Sequence, residues 1–284
     1  MKTSYAELHC HTNYSFQEGA SSVEELLVRA KELGHQALAI TDHDTTNGLG
    51  EALKVKRAYP DMTLIPGVEL SADSKDTEMH LLGYFLNYEN DSFQKTLSKF
   101  REGRIGRAIT MVKKLSELGV KLKWERVLEF AGDGAVGRPH IARAMIEMGY
   151  VASMSEAFDK YLGRGAPVYA ERDKFSPLDA IELIHSVNGL AVLAHPSWVD
   201  NLESQLPSLV EAGLAGMEVH YSSYSSGLIM ELESLANKFS LVPCGGSDYH
   251  ANNDPGEALP GDQGPPQESV DRLREIAMER ISIH

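Results

Sequence analysis

Cysteine is scarce in this chain, with Cys10 and Cys244 the only two in 284 residues. Two thiols so far apart make no disulfide framework, and this points to a reducing cytosol. Nothing at the N-terminus has the features of a signal peptide, and no apolar run approaches the length that spans a bilayer. Positive charge is in deficit too. A net charge of -14 argues against general coating of nucleic acid. The deficit is uneven, because Lys95 to Arg143 holds twelve Lys/Arg against five Asp/Glu. An acidic body with one basic segment suits a carboxylate-rich metal site beside a patch that receives anions.

With 42% hydrophobic residues the chain can bury a sizeable core. Its first distinctive stretch is Ala6-Glu7-Leu8-His9-Cys10-His11-Thr12. Read as a strand it alternates, so His9 and His11 share one face while Leu8 and Cys10 take the core side. Ser21 and Ser22 followed by Glu24 and Glu25 open a helix that Gly34 stops. Strands are expected at 37–41, at 63–69 and at 79–85, with a helix over 48–59. Residues 92–175 carry only helical patterns, in which Leu97, Phe100, Ile105, Ile109, Val112 and Leu115 form an apolar stripe. Alternation then resumes, with strands expected at 190–194, 216–220 and 241–244 and a closing helix over 267–279. The Gly- and Pro-rich stretch 251–266 reads as a mobile flap. About seven strands alternating with helices, without an internal repeat, suggest a parallel barrel.

In such barrels the chemistry sits at the C-terminal strand ends. His9, His11, Asp42, His43, Glu69, His195, Asp248 and His250 all fall at or just past an expected strand end. His80 starts its strand instead, so one antiparallel strand is needed to bring it to the same mouth. Imidazole and carboxylate donors without cysteine suit Zn²⁺, Mn²⁺ or Fe rather than Ca²⁺ or a structural zinc. Eight first-rank candidates exceed what one ion takes, so two or three divalent ions are expected, with Glu69 placed to bridge. Closely spaced ions would activate a bridging water and stabilise in-line displacement at phosphorus.

The ordered motifs His9-Cys10-His11-Thr12, Thr41-Asp42-His43, Gly67-Val68-Glu69, His80, Ala194-His195-Pro196 and Gly246-Ser247-Asp248-Tyr249-His250 resemble the PHP family, the polymerase and histidinol phosphatase superfamily. The resemblance implies an α/β fold, a distorted seven-stranded (β/α) barrel with a helical insertion, a trinuclear metal site and phosphoesterase chemistry. Residues 1–91 and 176–284 would form the barrel, and 92–175 a basic helical insertion. Within the family the chain most resembles the bacterial tryptophan-operon-linked branch, through Val136-Gly137-Arg138-Pro139-His140-Ile141-Ala142-Arg143 and Phe158-Asp159-Lys160-Tyr161-Leu162-Gly163. That branch implies dephosphorylation of 5′-nucleotides and 3′,5′-nucleoside bisphosphates, and 5′-to-3′ trimming of short RNA. One departure is the loop Tyr14-Ser15-Phe16-Gln17-Glu18-Gly19, where Glu18 stands in place of the usual Asp.

Resemblance and chemistry together assign His9, His11, Glu69 and Asp248 to one ion. They assign Glu69, His80 and His195 to a second, and Glu18, His43 and His250 to a third. Asp42 is expected either as a ligand or as a carboxylate orienting an imidazole from behind. The attacking group would be hydroxide held between two ions, with no side chain assigned as acid. Arg138, His140 and Arg143, helped by Arg104 and Arg107, are expected to bind phosphate. Two rivals share the scaffold, histidinol-phosphate phosphatase and a C–N hydrolase of the amidohydrolase type. A third is a non-catalytic, metal-stabilised binding module. No membrane association and no stable protein partner are implied.

Overall fold

A computed structural model describes residues 6–15, 21–73, 78–132, 136–171, 175–221, 223–250 and 258–283. Six strands form one curled sheet in sequence order: β1 (Ala37–Ile40), β2 (Thr63–Asp73), β3 (Glu78–Tyr84), β4 (Leu190–Leu193), β5 (Leu214–Tyr221) and β6 (Val242–Gly246). The short strands β1 and β4 are buried at every position, as expected of apolar runs covered on both faces. β1–β2, β4–β5 and β5–β6 are parallel pairs. β3 runs antiparallel to both of its neighbours, so its N-terminal end lies where the parallel strands end. His80 therefore reaches the common mouth, as its position at a strand start requires.

Where the sequence suggests about seven strands, the regular sheet among the described residues has six. Residues 6–12 lie between the two outer strands but form only isolated bridges, Glu7 with Leu38 and Cys10 with Tyr249. They hydrogen-bond to both sides, Ala39 N to Glu7 O at 2.8 Å and Asp248 N to His9 O at 2.7 Å. A continuous ladder is interrupted because carboxylates take two of the amides. His9 N donates to Glu7 Oε1 (3.0 Å) and Thr12 N to Asp42 Oδ1 (2.7 Å).

Alternation grades the concave face from apolar to polar. On β3, Tyr84, Leu82 and His80 share that face, and Glu69 is the register partner of Leu82 as Ser71 is of His80. The apolar end packs with Leu8, Val192, Cys244 and, from helix α10 (Gln267–Ile283), Val270 and Leu273. The polar end is the mouth. On the outer side, α1 (Val23–Leu33) and α2 (Leu49–Lys56) cover β1. Ser22 and Glu25 form the expected capping box of α1, and Gly34 ends it at φ 83°.

From 91 to 162 the regular elements among the described residues are all helices. Asn90 caps α3 (Asp91–Glu117), whose 27 residues extend about 40 Å. Its first half buries Phe93 and Leu97 against the sheet, and its second half buries Ala108, Met111 and Leu115 in a separate helical core. Ile105 and Ile109 of the expected stripe are 39% and 49% exposed, because the buried face turns to Ala108 and Met111 instead. α4 (Trp124–Ala131), α5 (Arg138–Glu147), α6 (Met154–Ala157) and a π-helical turn at Phe158–Leu162 complete the helical core. α7 (Pro177–His185), α8 (Leu202–Glu211) and α9 (Ser226–Lys238) return to the sheet. Of the stretch expected as a flap, residues 251–257 lie outside the described residues. The rest is tied down, with Ala6 N on Pro265 O (3.0 Å) and His35 Nε2 2.8 Å from Gly261 O.

Candidate metal centre

Glu69 lies in the middle of β2, with the strand continuing to Asp73, rather than at the strand end expected from sequence. It is fully buried, and its two oxygens face different partners. Oε1 is 2.7 Å from His80 Nδ1 and 3.3 Å from His195 Nε2. Oε2 is 3.2 Å from His11 Nε2, 3.0 Å from His43 Nδ1 and 3.4 Å from His9 Nε2. Asp248 Oδ1 closes the second set, 3.2 Å from His9 Nε2 and 3.1 Å from His11 Nε2. His43 Nε2 and His250 Nε2 are 3.2 Å apart.

Among the described residues, three overlapping groups have donor atoms close enough to share an ion: His9, His11, Glu69 and Asp248; His43, Glu69 and His80; and His11, His43 and His250. The first is the set expected for one ion. The second takes in Glu69 and His80 of the expected second set, and His195 lies 3.2 Å from His80 Nδ1. The third contains His43 and His250 but with His11, since Glu18 lies outside the described residues.

The residues fit divalent ions on their own geometry. His9 Nε2 and Glu69 Oε2 are buried, face each other and make no hydrogen bond, an arrangement that costs free energy unless a cation lies between such groups. Nitrogen and oxygen donors without sulfur match Zn²⁺, Mn²⁺ or Fe. The electrostatics agree. Burial alone would neutralise Glu69, yet His43, His80 and His9 hold it well below the usual carboxylate range. Asp248 is likewise held low against burial by His9, His250 and His11. Burial resists charge on the imidazoles too, but Asp248 and Glu69 lift His11 to about 9, and Glu69 and Glu78 lift His80 to about 9. Burial pushes His250 down to about 4. Protons on some imidazoles thus balance carboxylates that cations would balance equally.

Behind these groups stand residues that sequence reasoning missed. Glu218 on β5 is fully buried, its Oε1 3.0 Å from His9 Nδ1 and its Oε2 accepting from His195 N at 2.6 Å. It leaves His9 Nε2 facing Glu69. Tyr221 donates to Asp248 Oδ2 at 2.7 Å. Three residues apart on a regular strand, Glu218 and Tyr221 would point to opposite faces. A register shift between Glu218 and His220 brings both to the mouth. Glu7, also fully buried, accepts from His9 N, Ser247 N and Gly261 N, and burial lifts its carboxyl to about 7. One signal was available for Glu218, an acid flanked by Met217 and Val219 inside an apolar strand, where a charge is retained only with partners.

Two site residues sit in the left-handed region, His195 at φ 29° and Asp248 at φ 51°. Each amide is anchored, the first by Glu218 and the second by His9 O. Asp42 accepts from Thr12 N and Thr12 Oγ1, both at 2.7 Å, and belongs to none of the three groups. It braces the turn after His11 rather than orienting an imidazole directly.

The mouth opens into a cavity of about 570 Å³ that reaches the helical segment. Arg104, Arg107 and Arg138 line it. Arg104 pairs with Asp44 Oδ2 at 2.5 Å and Ser71 Oγ at 2.8 Å, Arg107 donates to Ala170 O at 2.7 Å, and Arg138 pairs with Glu78 Oε2 at 2.8 Å. His140 and Arg143 are not among the lining residues. His140 is fully buried, and its Nδ1 accepts from Gly137 N at 2.8 Å, capping α5 where Gly137 has no side chain to do so. Burial, with Arg143 and Arg104 nearby, pushes it down to about 3.

The PHP domain model matches residues 7–159, more than half of the chain. This chain belongs to the PHP domain family. The 5′-3′ exoribonuclease Rnm of Salmonella typhimurium is 35% identical over 257 residues, covering 87% of each chain. The 3′,5′-nucleoside bisphosphate phosphatase of Chromobacterium violaceum is 31% identical, covering 88% of each. The solved structure of a protein from Bifidobacterium adolescentis named a metal-dependent phosphoesterase superposes with a TM-score of 0.83, at 26% identity and 95% coverage of both chains.

Two outcomes follow for this PHP chain. Glu218→Gln should weaken Mn²⁺ binding roughly 10–100-fold with the fold intact, read by equilibrium dialysis beside circular dichroism. Ion uptake should also displace protons from His11 and His80, whose values stand near 9 against an ordinary 6.5. Affinity should therefore climb from pH 6.5 towards 9, with net proton release in calorimetric titrations. An affinity indifferent to pH over that range would contradict the assignment.

Proposed function

We propose that this PHP protein is a metal-dependent phosphoesterase that removes phosphate from nucleotides, 3′,5′-nucleoside bisphosphates and short 5′-phosphorylated RNA. The observation that carries the reading is Glu69, which turns one oxygen to each of two imidazole sets in a cavity that three arginines also line. His9, His11, Glu69 and Asp248 would hold one ion; Glu69, His80 and His195 a second; His43 and His250, with His11 or Glu18, a third. Divalent ions there would supply Lewis acidity to the phosphoryl group and lower the pKa of a water.

The chain's own residues do the rest. Glu218 keeps His9 Nε2 turned to the centre, and Tyr221 keeps one oxygen of Asp248 engaged so that the other faces His9 and His11. Arg138 and Arg104, each poised on a carboxylate, would exchange it for a substrate phosphate through the same planar fork. We read residues 6–12 as the seventh strand closing a distorted barrel, residues 92–175 as an inserted domain supplying the arginines, and the cytosol as the compartment. Histidinol-phosphate phosphatase is disfavoured by the size of the cavity and its three arginines, more than one small amino-alcohol phosphate needs.

Phosphate release from 5′-AMP, adenosine 3′,5′-bisphosphate, a 5′-phosphorylated RNA oligomer and histidinol phosphate by the Mn²⁺-loaded protein tests the reading. The bisphosphate or the oligomer should exceed AMP, and Arg138→Ala should remove that advantage, at least about tenfold, while a generic phosphomonoester is still turned over slowly. Preference for histidinol phosphate, or no turnover with metal bound, would overturn it.

A further inference from the structure

We propose that Trp198 is a stacking platform for the nucleobase of the substrate, set beside the metal centre on the wall formed by β4 and β5. The inference rests on the nucleotide reading above and names a specificity-determining residue within it. Trp198 closes a 3₁₀ turn, Pro196–Trp198, directly after His195, and its amide donates to His195 O at 3.0 Å. Its indole stacks on the His195 ring, with centroids 4.2 Å apart and planes 30° apart. Tyr221 meets the indole edge-on at 6.1 Å and 79°. The turn is pinned again at Ser197, whose Oγ donates to Tyr224 Oη at 2.9 Å. With its orientation set by these contacts, the side chain is nevertheless 57% exposed and lines the same cavity as Glu69, His80 and Arg138.

A large ring left this exposed beside the charged groups of the metal centre has little to gain from packing alone. Its position is what a nucleotide calls for. His195 lies against Glu69 and His80, where the scissile phosphate is expected, and the indole extends the same stack outward. A base lying on that stack would be one sugar removed from the phosphate. Every base has a π-face, so an aromatic platform binds nucleotides with little regard to sequence, which suits an enzyme that trims successive residues. The arginines then read phosphate and Trp198 reads the base.

The test compares a substrate that has a base with one that lacks it, 5′-AMP and ribose 5-phosphate, in the Mn²⁺-loaded wild type, Trp198→Ala and Trp198→Phe. Trp198→Ala should raise KM for AMP about tenfold with kcat little changed, leave ribose 5-phosphate unaffected, and be rescued in large part by Trp198→Phe. An equal loss on both substrates would overturn the proposal, since it would show Trp198 acting only through His195. A binding readout stands apart from turnover. Trp124 is the only other tryptophan and packs in the helical core away from the cavity, so Trp124→Phe leaves Trp198 as the sole indole reporter. The methylenephosphonate analogue of AMP, whose P–C bond does not hydrolyse, should quench its fluorescence, and the analogue of ribose 5-phosphate should not. Quenching by both or by neither would overturn the platform. Failure of the wild type to release phosphate from either ester would instead count against the phosphoesterase reading, with the quenching experiment still deciding the role of Trp198.

Discussion

One buried carboxylate sets the terms for the rest of this structure. Glu69 has both oxygens within 3.4 Å of imidazole nitrogens, five histidines in all, and no exposure to water. A carboxylate removed from water at such depth is tolerable only if positive charge surrounds it, whether as protons on imidazoles or as cations. The fold accordingly brings histidines from widely separated segments to one point. The antiparallel course of β3 does this for His80, and the parallel strands do it for the others. A uniformly parallel sheet would have put His80 at the opposite end.

Precision at that point comes from a second ring of acids. Glu7, Asp42 and Glu218 hold backbone amides, Thr12 or the far side of His9. Glu218 acts on two histidines at once, His9 through its ring and His195 through its amide. The left-handed backbone at His195 and Asp248 is stable because such anchors fix it. Even the irregularity of the sheet serves placement, since the shift in β5 is what lets Glu218 and Tyr221 both reach the centre.

Much of this was legible in the sequence because imidazoles and carboxylates recurring near strand ends are a narrow choice of residue in a narrow choice of place, although Glu69 proved to lie in mid-strand. His9, His11, His43, Glu69, His80, His195, Asp248 and His250 all converge. The acids behind them were less legible, because Glu7 and Glu218 fall inside strands, where alternation alone assigns no function. The helical segment was readable as helices but not in its packing. The apolar stripe through Ile105 and Ile109 yields to Ala108 and Met111, and His140 has its Nδ1 on the N-cap amide of a helix. Which neighbour a side chain meets is information that residue spacing does not carry.

The claim that everything else depends on is that Glu69 is shared between two ions. Anomalous diffraction from crystals grown with Mn²⁺ tests it directly. The account predicts one peak among His9, His11 and Asp248 and a second between His80 and His195, each in contact with a different oxygen of Glu69, beside a third at His43 and His250. A single peak, or two peaks of which one does not touch Glu69, would contradict it.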